Sequence, residues 1–253
     1  MHSLTVGLIS AGVIFVGALF GIWLQRLLPG HHMNKETQDV VKLSAGTVAT
    51  LTALVLGLLV SSAKSAFDTM NAGVVQGSAK IIFLDRTLAR YGPETKPARE
   101  QLKRSIAAGI ETVWPAEKTG VSALTAFERA NGMELVQEKL RGLTPQTDAQ
   151  RQILGQAQQI VGDLGQSRWL LLEEAQIELP RSLLVILVFW LTLLFVSFGL
   201  FAPPNATAVT VLCVGACAVS AAIFLVLELS RPLDGIVKIS SAPMWNALQH
   251  LGQ

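Results

Sequence analysis

Charge is what this chain has least of. Asp, Glu, Lys and Arg supply 15% of its 253 residues against 51% apolar ones, and the mean hydropathy is +0.47. So little charge along so much apolar sequence excludes an ordinary charge-coated soluble domain and marks an integral membrane protein. The two cysteines, Cys213 and Cys217, both lie inside an apolar run. They cannot supply a disulfide framework or a four-ligand zinc site, and are expected to pack. A net charge of +2, dispersed along the chain, leaves no footprint for nucleic acid. There is no nucleophile elbow, paired-carboxylate motif, His-Glu-x-x-His or Gly-rich phosphate loop, and no strand-like alternation. An enzyme is therefore disfavoured, and no cofactor or metal is expected. No long apolar run carries a charge at its centre, so a proton relay, a buried counter-ion and a ladder of gating charges are absent too.

What the chain does have is four long uncharged runs: Leu4 to Leu24, Leu43 to Ala63, Ser182 to Ala202 and Ala206 to Leu227. As helices each rises about 31 to 33 Å, the thickness of a bilayer's hydrocarbon core. The first lacks a basic leader and a small-residue cleavage site, and is expected to be a retained helix rather than a signal peptide. Its Gly17 and Gly21 form a small-xxx-small pair suited to close helix contact. The link from Gln25 to Lys42 holds Pro29-Gly30 and the adjacent His31 and His32. With no further ligand at metal spacing, those histidines belong to a solvated loop. The third run is entered through Pro180-Arg181, Pro203-Pro204-Asn205 turns it into the fourth, and Glu228 and Arg231 mark the exit.

After Ala63 no proline interrupts the helical pattern, and Phe67, Met70, Val74, Ile81, Leu84 and Leu88 share a face up to Tyr91-Gly92-Pro93. The second run is therefore expected to continue into water as one amphipathic helix. Pro97 opens a helix with Leu102, Ile106, Ile110 and Val113 on one side, before Pro115. Ser122 is placed to cap the next, which carries Leu124, Phe127 and Leu135, with Asn131-Gly132 as a possible break. Thr144 as cap and Pro145 as first residue start another. Its Ile153, Ala157, Ile160, Leu164, Ser167 and Leu171 make a coiled-coil-like seam that wants partner helices. Glu173, Glu174 and Glu178 read as a solvated face near the third span. A turn over Ser230 to Gly235 precedes a short terminal helix capped by Ser240 or Ser241 with Pro243.

The expected fold is thus all-α: four transmembrane helices with a helical domain inserted between the second and third. Residues 1–63 form the first hairpin, 64–179 the inserted domain, 180–229 the second hairpin, and 230–253 a turn and short helix. Arg26, Lys35 and Lys42 lie on one side, whereas Lys64, Lys80, Arg168, Arg181, Arg231 and Lys238 flank the spans on the other. The positive-inside rule places the inserted domain and both termini in the cytoplasm of a multi-pass protein of the inner membrane.

The second run differs from the others in its hydroxyls. On a helix, Ser44, Thr47, Leu51, Leu54, Leu58, Ser61 and Ser65 recur at steps of three and four and share one face, with Thr50 beside it. A ring of such helices gives hydroxyl vestibules around a leucine constriction, the kind of narrowing that gates by dewetting. Lys42 and Lys64 would stand near the mouths, with Asp68 opposing Lys64 one turn on. Hydroxyls in membrane helices also bond back to the carbonyl one turn earlier, or let helices pack closely with no ion in sight. Both possibilities are open at this stage.

Three blocks resemble the bestrophin-like bacterial membrane proteins: LSAGTVATLTALVLGLLVSSAKSAFD at 43 to 68, Arg168 with the leucines after it and Leu179-Pro180, and LELSRPLDGIVKISSAPMWNALQHL at 227 to 251. In the last, Pro232, Asp234-Gly235, Ile239-Ser240-Ser241, Pro243 and Ala247-Leu248 match, while Ser230 and Leu233 depart from the family's habit of an acidic and an aromatic residue there. The resemblance implies a ring-shaped homo-oligomer in the lipid bilayer whose second helix lines a path for small ions, anions by family likeness, and continues as a stalk. It does not carry over calcium control, because the chain has no contiguous acidic clasp. A non-conducting membrane scaffold, held by the 145 to 175 seam, is the alternative; a small-solute transporter is less favoured because no span is broken at mid-depth.

Overall fold

The computed structural model describes residues 3–29, 34–114, 126–174, 181–233 and 235–253. Among the described residues eight α-helices follow one another: α1 (Ser3–Leu27), α2 (Lys35–Tyr91), α3 (Lys96–Val113), α4 (Ala126–Arg141), α5 (Asp148–Glu174), α6 (Arg181–Phe201), α7 (Ala206–Leu229) and α8 (Ala242–His250). No strand occurs among the described residues. Helices α1, α2, α6 and α7 are long and apolar enough to cross a membrane. The chain divides into two compact units, Met1–Phe67 with Glu178–Arg231 and Gly235–Val237, and Asp68–Ile177 with Pro232–Asp234 and Lys238–Gln253. The 57-residue α2 spans residues of both, and no proline between Ala63 and Tyr91 interrupts it.

In the first unit α1 packs against α6 and α7. Gly17 lies against Thr192, Gly21 against the backbone of Val196 and Leu200, and Gly199 against the backbone of Ala18. The numbers rise together, so α1 and α6 run parallel. Gly7 meets Phe224 instead, and with Ser3 at Glu228 this makes α7 antiparallel to α1. Glycine is needed at Gly21 and Gly199 because a Cβ there would collide with main chain, which no rotamer change relieves. Between lipid-soluble helices such backbone approach replaces the missing hydrophobic drive. Ile14, Ala18, Leu191, Phe195 and Ile223 fill the space around these contacts, and α2 joins the cluster through Leu59 and Ala63. Asn205 caps α7, its side-chain oxygen accepting from the Ala208 amide at 2.8 Å, which helps close the four-residue turn from α6.

The second unit begins with the far half of α2, whose Met70, Ile81, Leu84 and Leu88 are buried as their spacing predicts. Gly92 ends the helix at φ 139°, a conformation that side-chain-bearing residues avoid. The Thr95 hydroxyl, within hydrogen-bond distance of the Leu88 and Gly92 carbonyls at 2.7 and 2.8 Å, closes the turn into α3. Leu102, Ile106 and Ile110 of α3 are buried. Asn131-Gly132 does not break α4. Gly132 instead lets α3 come close, with the Ser105 hydroxyl donating to its carbonyl at 2.8 Å and no room for a Cβ.

Helix α5 starts at Asp148 rather than Pro145. Thr147, not Thr144, is the cap: its hydroxyl accepts from the Gln150 amide at 3.1 Å while the Gln150 side chain accepts from the Gln146 amide at 2.8 Å. The Thr147 hydroxyl satisfies one end donor of the helix, which a proline at the first position does not. Of the α5 seam, Ala157, Ile160 and Leu164 are buried within the chain and Ile153 and Ser167 are half-buried, with Leu154 and Val161 beside it buried as well. Ser122 and Leu124, His31 and His32, and the side chains of Phe127, Leu171, Glu173, Glu174 and Glu178 lie outside the described residues. The C-terminal segment docks in this unit through Ala247, Leu248 and Leu251, all buried, and the Trp114 indole donates to the Ile239 carbonyl at 3.0 Å.

Candidate functional site

Helix α2 turns two unlike faces outward from its axis. Ala45, Thr52, Leu59 and Ala63, spaced by seven and four, are buried. The opposite face carries Ser44, Thr47, Thr50, Leu51, Leu54, Leu58 and Ser61, and every one of them is exposed. Leu54 and Leu58 are 70% and 69% exposed. Lys42, Lys64 and Asp68 are exposed as well. Ser44, Thr47, Thr50, Leu51, Leu54, Leu58 and Ser61 thus share one exposed side of one helix.

The degree of cover sets α2 apart. In its most apolar window 11% of residues are buried inside the chain, against 39%, 28% and 28% for α1, α6 and α7. Two glycines on the same helix, Gly46 and Gly57, would meet nothing within 4 Å if given a Cβ, although each costs an isolated helix about 1 kcal/mol against alanine. Packing within the chain gives no reason for either.

The hydroxyls are partly accounted for locally. Thr47 donates to the Leu43 carbonyl at 3.2 Å, Thr50 to Gly46 at 2.9 Å and Thr52 to Val48 at 2.7 Å. The same back-bond occurs at Thr192 and Thr210 on the other spans, so it is how threonine is housed in this unit rather than a mark of α2. A hydroxyl bonded this way has its one proton engaged and offers only lone pairs to a passing group. The Lys64 ammonium lies 5.6 Å from the centre of the Phe67 ring, an attraction that fixes it near the end of the apolar run.

Two ionised groups are better defined than their sequence positions suggest. Glu228, read only as the exit of the last span, has its carboxylate 1% exposed and accepts from the Ser3 hydroxyl and from the amides of Ile236 and Val237, the last at 3.2 Å. Asp85 on the inner side of α2 pairs with Arg99. Hydrogen bonding to Asp85 raises the guanidinium pKa further above its ordinary value, against an opposing effect of burial. Neither carboxylate was signalled by a motif. A lone acid after an apolar run and an acid among the polar residues of an amphipathic helix are both ordinary until their partners are known.

A cleft of about 220 Å³ beside Tyr91, Glu94, Gly142 to Thr144 and Gln146 is bridged by Gln150, whose amide donates to the Tyr91 carbonyl at 3.2 Å. It belongs to the turns between helices. Among the described residues no three His, Cys, Asp or Glu side chains come together as a metal site.

No curated protein and no solved structure matches the chain. The family model described as the Bestrophin-like domain matches residues 12–244, nearly the whole chain, including α2 and the segment after α7. An all-helical membrane protein with four apolar helices, this chain belongs to the Bestrophin-like domain family.

Proposed function

We propose that the chain is one subunit of a ring-shaped homo-oligomeric ion channel, with small anions as its substrate and the exposed face of α2 as its pore lining. What carries this is the contrast on α2: Leu59 and Ala63 are buried in the chain while Thr47, Leu51, Leu54, Leu58 and Ser61 are left uncovered. A face meant only for lipid has no need of hydroxyls at both ends of a leucine stretch. In a ring, Leu51, Leu54 and Leu58 form the constriction, and Ser44, Thr47, Thr50 and Ser61 line the vestibules. Lys42 and Lys64 raise anion concentration at the mouths, and Asp68 opposes Lys64. Residues 1–63 and 180–229 are then the two membrane hairpins, 64–179 the cytoplasmic helical domain in a bestrophin-like fold, and 230–253 the cytoplasmic end, in the inner membrane. Membership of the Bestrophin-like domain family supports the same assignment.

The second possibility is a non-conducting scaffold, and the back-bonded hydroxyls of Thr47 and Thr50 favour it. The buried seam of α5 argues the other way, since Ile160 and Leu164 are already covered. The test is ion flux through the purified protein in liposomes, wild type beside Leu54→Ser, under separate chloride and sodium gradients. A chloride-following flux in either preparation is expected. Silence in both, with an oligomer verified in the same vesicles, rejects the channel.

A further inference from the structure

Glu228 sits at the C-terminal end of α7 with its carboxylate buried. The position is unfavourable twice over, since the group is removed from water and faces the negative end of the helix dipole. Three donors offset this: the Ser3 hydroxyl and the amides of Ile236 and Val237. Gly235 makes the approach possible, because a Cβ there would run into the Glu228 carboxylate and the Arg231 carbonyl. The carboxylate thus holds the main chain of 235–237 by its amides against the end of α7.

The side chains of that segment are left outside. Ile236 is 71% exposed and Val237 41%, with Arg231 and Lys238 exposed on either side in sequence. A buried carboxylate with three donors is a costly way to show an isoleucine to water. Their level in the protein supplies another explanation. Ser3 opens α1 and Glu228 closes α7, so the bond between them brings the ends of two spans to one height. The apolar part of α7, from Ala206 to Leu227, rises about 33 Å, which sets Glu228 at the edge of the hydrocarbon core. Leu4 and Leu8 on α1 and Leu225 on α7, towards that same end of the spans, are exposed apolar residues too. Apolar side chains fixed at this height, with cations beside them, suit the boundary between headgroups and acyl chains.

We propose that Ile236 and Val237 form a lipid-inserting foot beside the exit of α7, held out by Glu228 as its latch. The proposal rests on membrane insertion of α1 and α7 and is independent of whether the protein conducts. It is tested on the full chain in phosphatidylcholine–phosphatidylglycerol vesicles, with a spin label at Ile236→Cys in a Cys213→Ser, Cys217→Ser background and a reference label at Lys238→Cys. Oxygen and a nickel chelate tethered to lipid headgroups should relax the label at position 236 several-fold more than a water-soluble nickel chelate does, with a smaller ratio of oxygen to water-soluble nickel relaxation at position 238. Dominance of the water-soluble chelate at 236 overturns the foot. Exclusion of all three relaxants, with dipolar broadening, overturns it in favour of a contact with a second copy. Val237→Cys repeats the measurement if the first variant fails to insert. Glu228→Ala should abolish the lipid signature at 236 and mobilise the label, and Gly235→Ala should do the same where Glu228→Ala does not fold. An unchanged lipid signature in either variant removes Glu228 as the latch.

Discussion

Arg99 and Asp85 meet in a two-pronged ion pair, Nε to Oδ1 and Nη2 to Oδ2 each at 2.7 Å, with the aspartate 1% exposed. The same Asp85 oxygen accepts from the Gly252 amide at 3.3 Å, and Arg99 donates to the Gln253 carbonyl at 3.3 Å. One pair therefore ties α2, α3 and the tail after α8. Arg99→Ala leaves a buried carboxylate with a single long donor and should cost about 3 kcal/mol, whereas Asp85→Leu with Arg99→Met should recover most of it, because the loss comes from the unpaired charge. Thermal unfolding of the detergent-purified protein decides: if the double variant melts as low as Arg99→Ala, the carboxylate is not the cause.

The glycines of the first unit make an internal control. Gly21→Val drives a side chain into the backbone of Val196 and Leu200, and Gly199→Val drives one into Ala18. Each should cost about 2 to 3 kcal/mol by overpacking. Gly12 has nothing within 4 Å of a Cβ, so Gly12→Ala should be neutral or stabilise by up to about 1 kcal/mol through helix propensity. Equal melting temperatures for Gly21→Val and Gly12→Ala would contradict the α1–α6 contact.

These cases show what was legible in advance. The four spans could be read directly, because a bilayer's thickness imposes a length and a composition that no local competitor mimics. Gly17 and Gly21 could be read as a contact, but that Gly199 answers them from α6 could not: a small residue in an apolar helix carries no address. Pro145 points to Thr144 as the cap, whereas Thr147-Asp148-Ala149-Gln150, a Thr-x-x-Gln spacing, points to Thr147. The outer face of α2 was visible as a periodicity. Its being uncovered was not, since burial depends on where α6 and α7 lie. Asp85 and Glu228 were invisible for a related reason: their partners, Arg99 and the amides of Ile236 and Val237, come from segments that only the fold brings near.

Trp114 holds the C-terminal segment by one bond. Its indole donates to the Ile239 carbonyl at 3.0 Å, and both residues are buried. Trp114→Phe keeps most of the ring's bulk but orphans that carbonyl, at about 1 to 2 kcal/mol. Because the loss is local, tryptic cleavage after Lys238 should accelerate while the global melting temperature falls by only a few degrees. An unchanged cleavage rate would show that the segment is held without the indole.

The seam of α5 discriminates between the two functional possibilities. Ile160 and Leu164 are buried in the chain itself. Leu164→Glu should therefore destabilise the inserted helices by more than about 3 kcal/mol, since a carboxylate would be buried without a partner. If α5 were a docking strip, the variant would instead stay folded and lose only its partners. Circular dichroism melts run beside size-exclusion profiles separate the two outcomes.

Leu58 and Leu59 are neighbours in sequence and opposites in place: Leu58 is on the uncovered face of α2, Leu59 in the core cluster of the first unit. If the uncovered face lines a pore, Leu58→Ser adds a hydroxyl where a ring of leucines keeps water out, and should raise chloride leak at least several-fold with the fold intact. Leu59→Ser empties a packed position and should cost about 2 kcal/mol of stability without opening a path, because cavities in a packed interior are paid for in lost contacts rather than in water. Measuring flux and thermal stability on both variants crosses the two effects. A leak from Leu59→Ser and none from Leu58→Ser would place the path, if there is one, on the other side of α2. Leak from neither, with both proteins folded and assembled, would take the leucines out of any gate and leave the uncovered face as a surface for close packing alone.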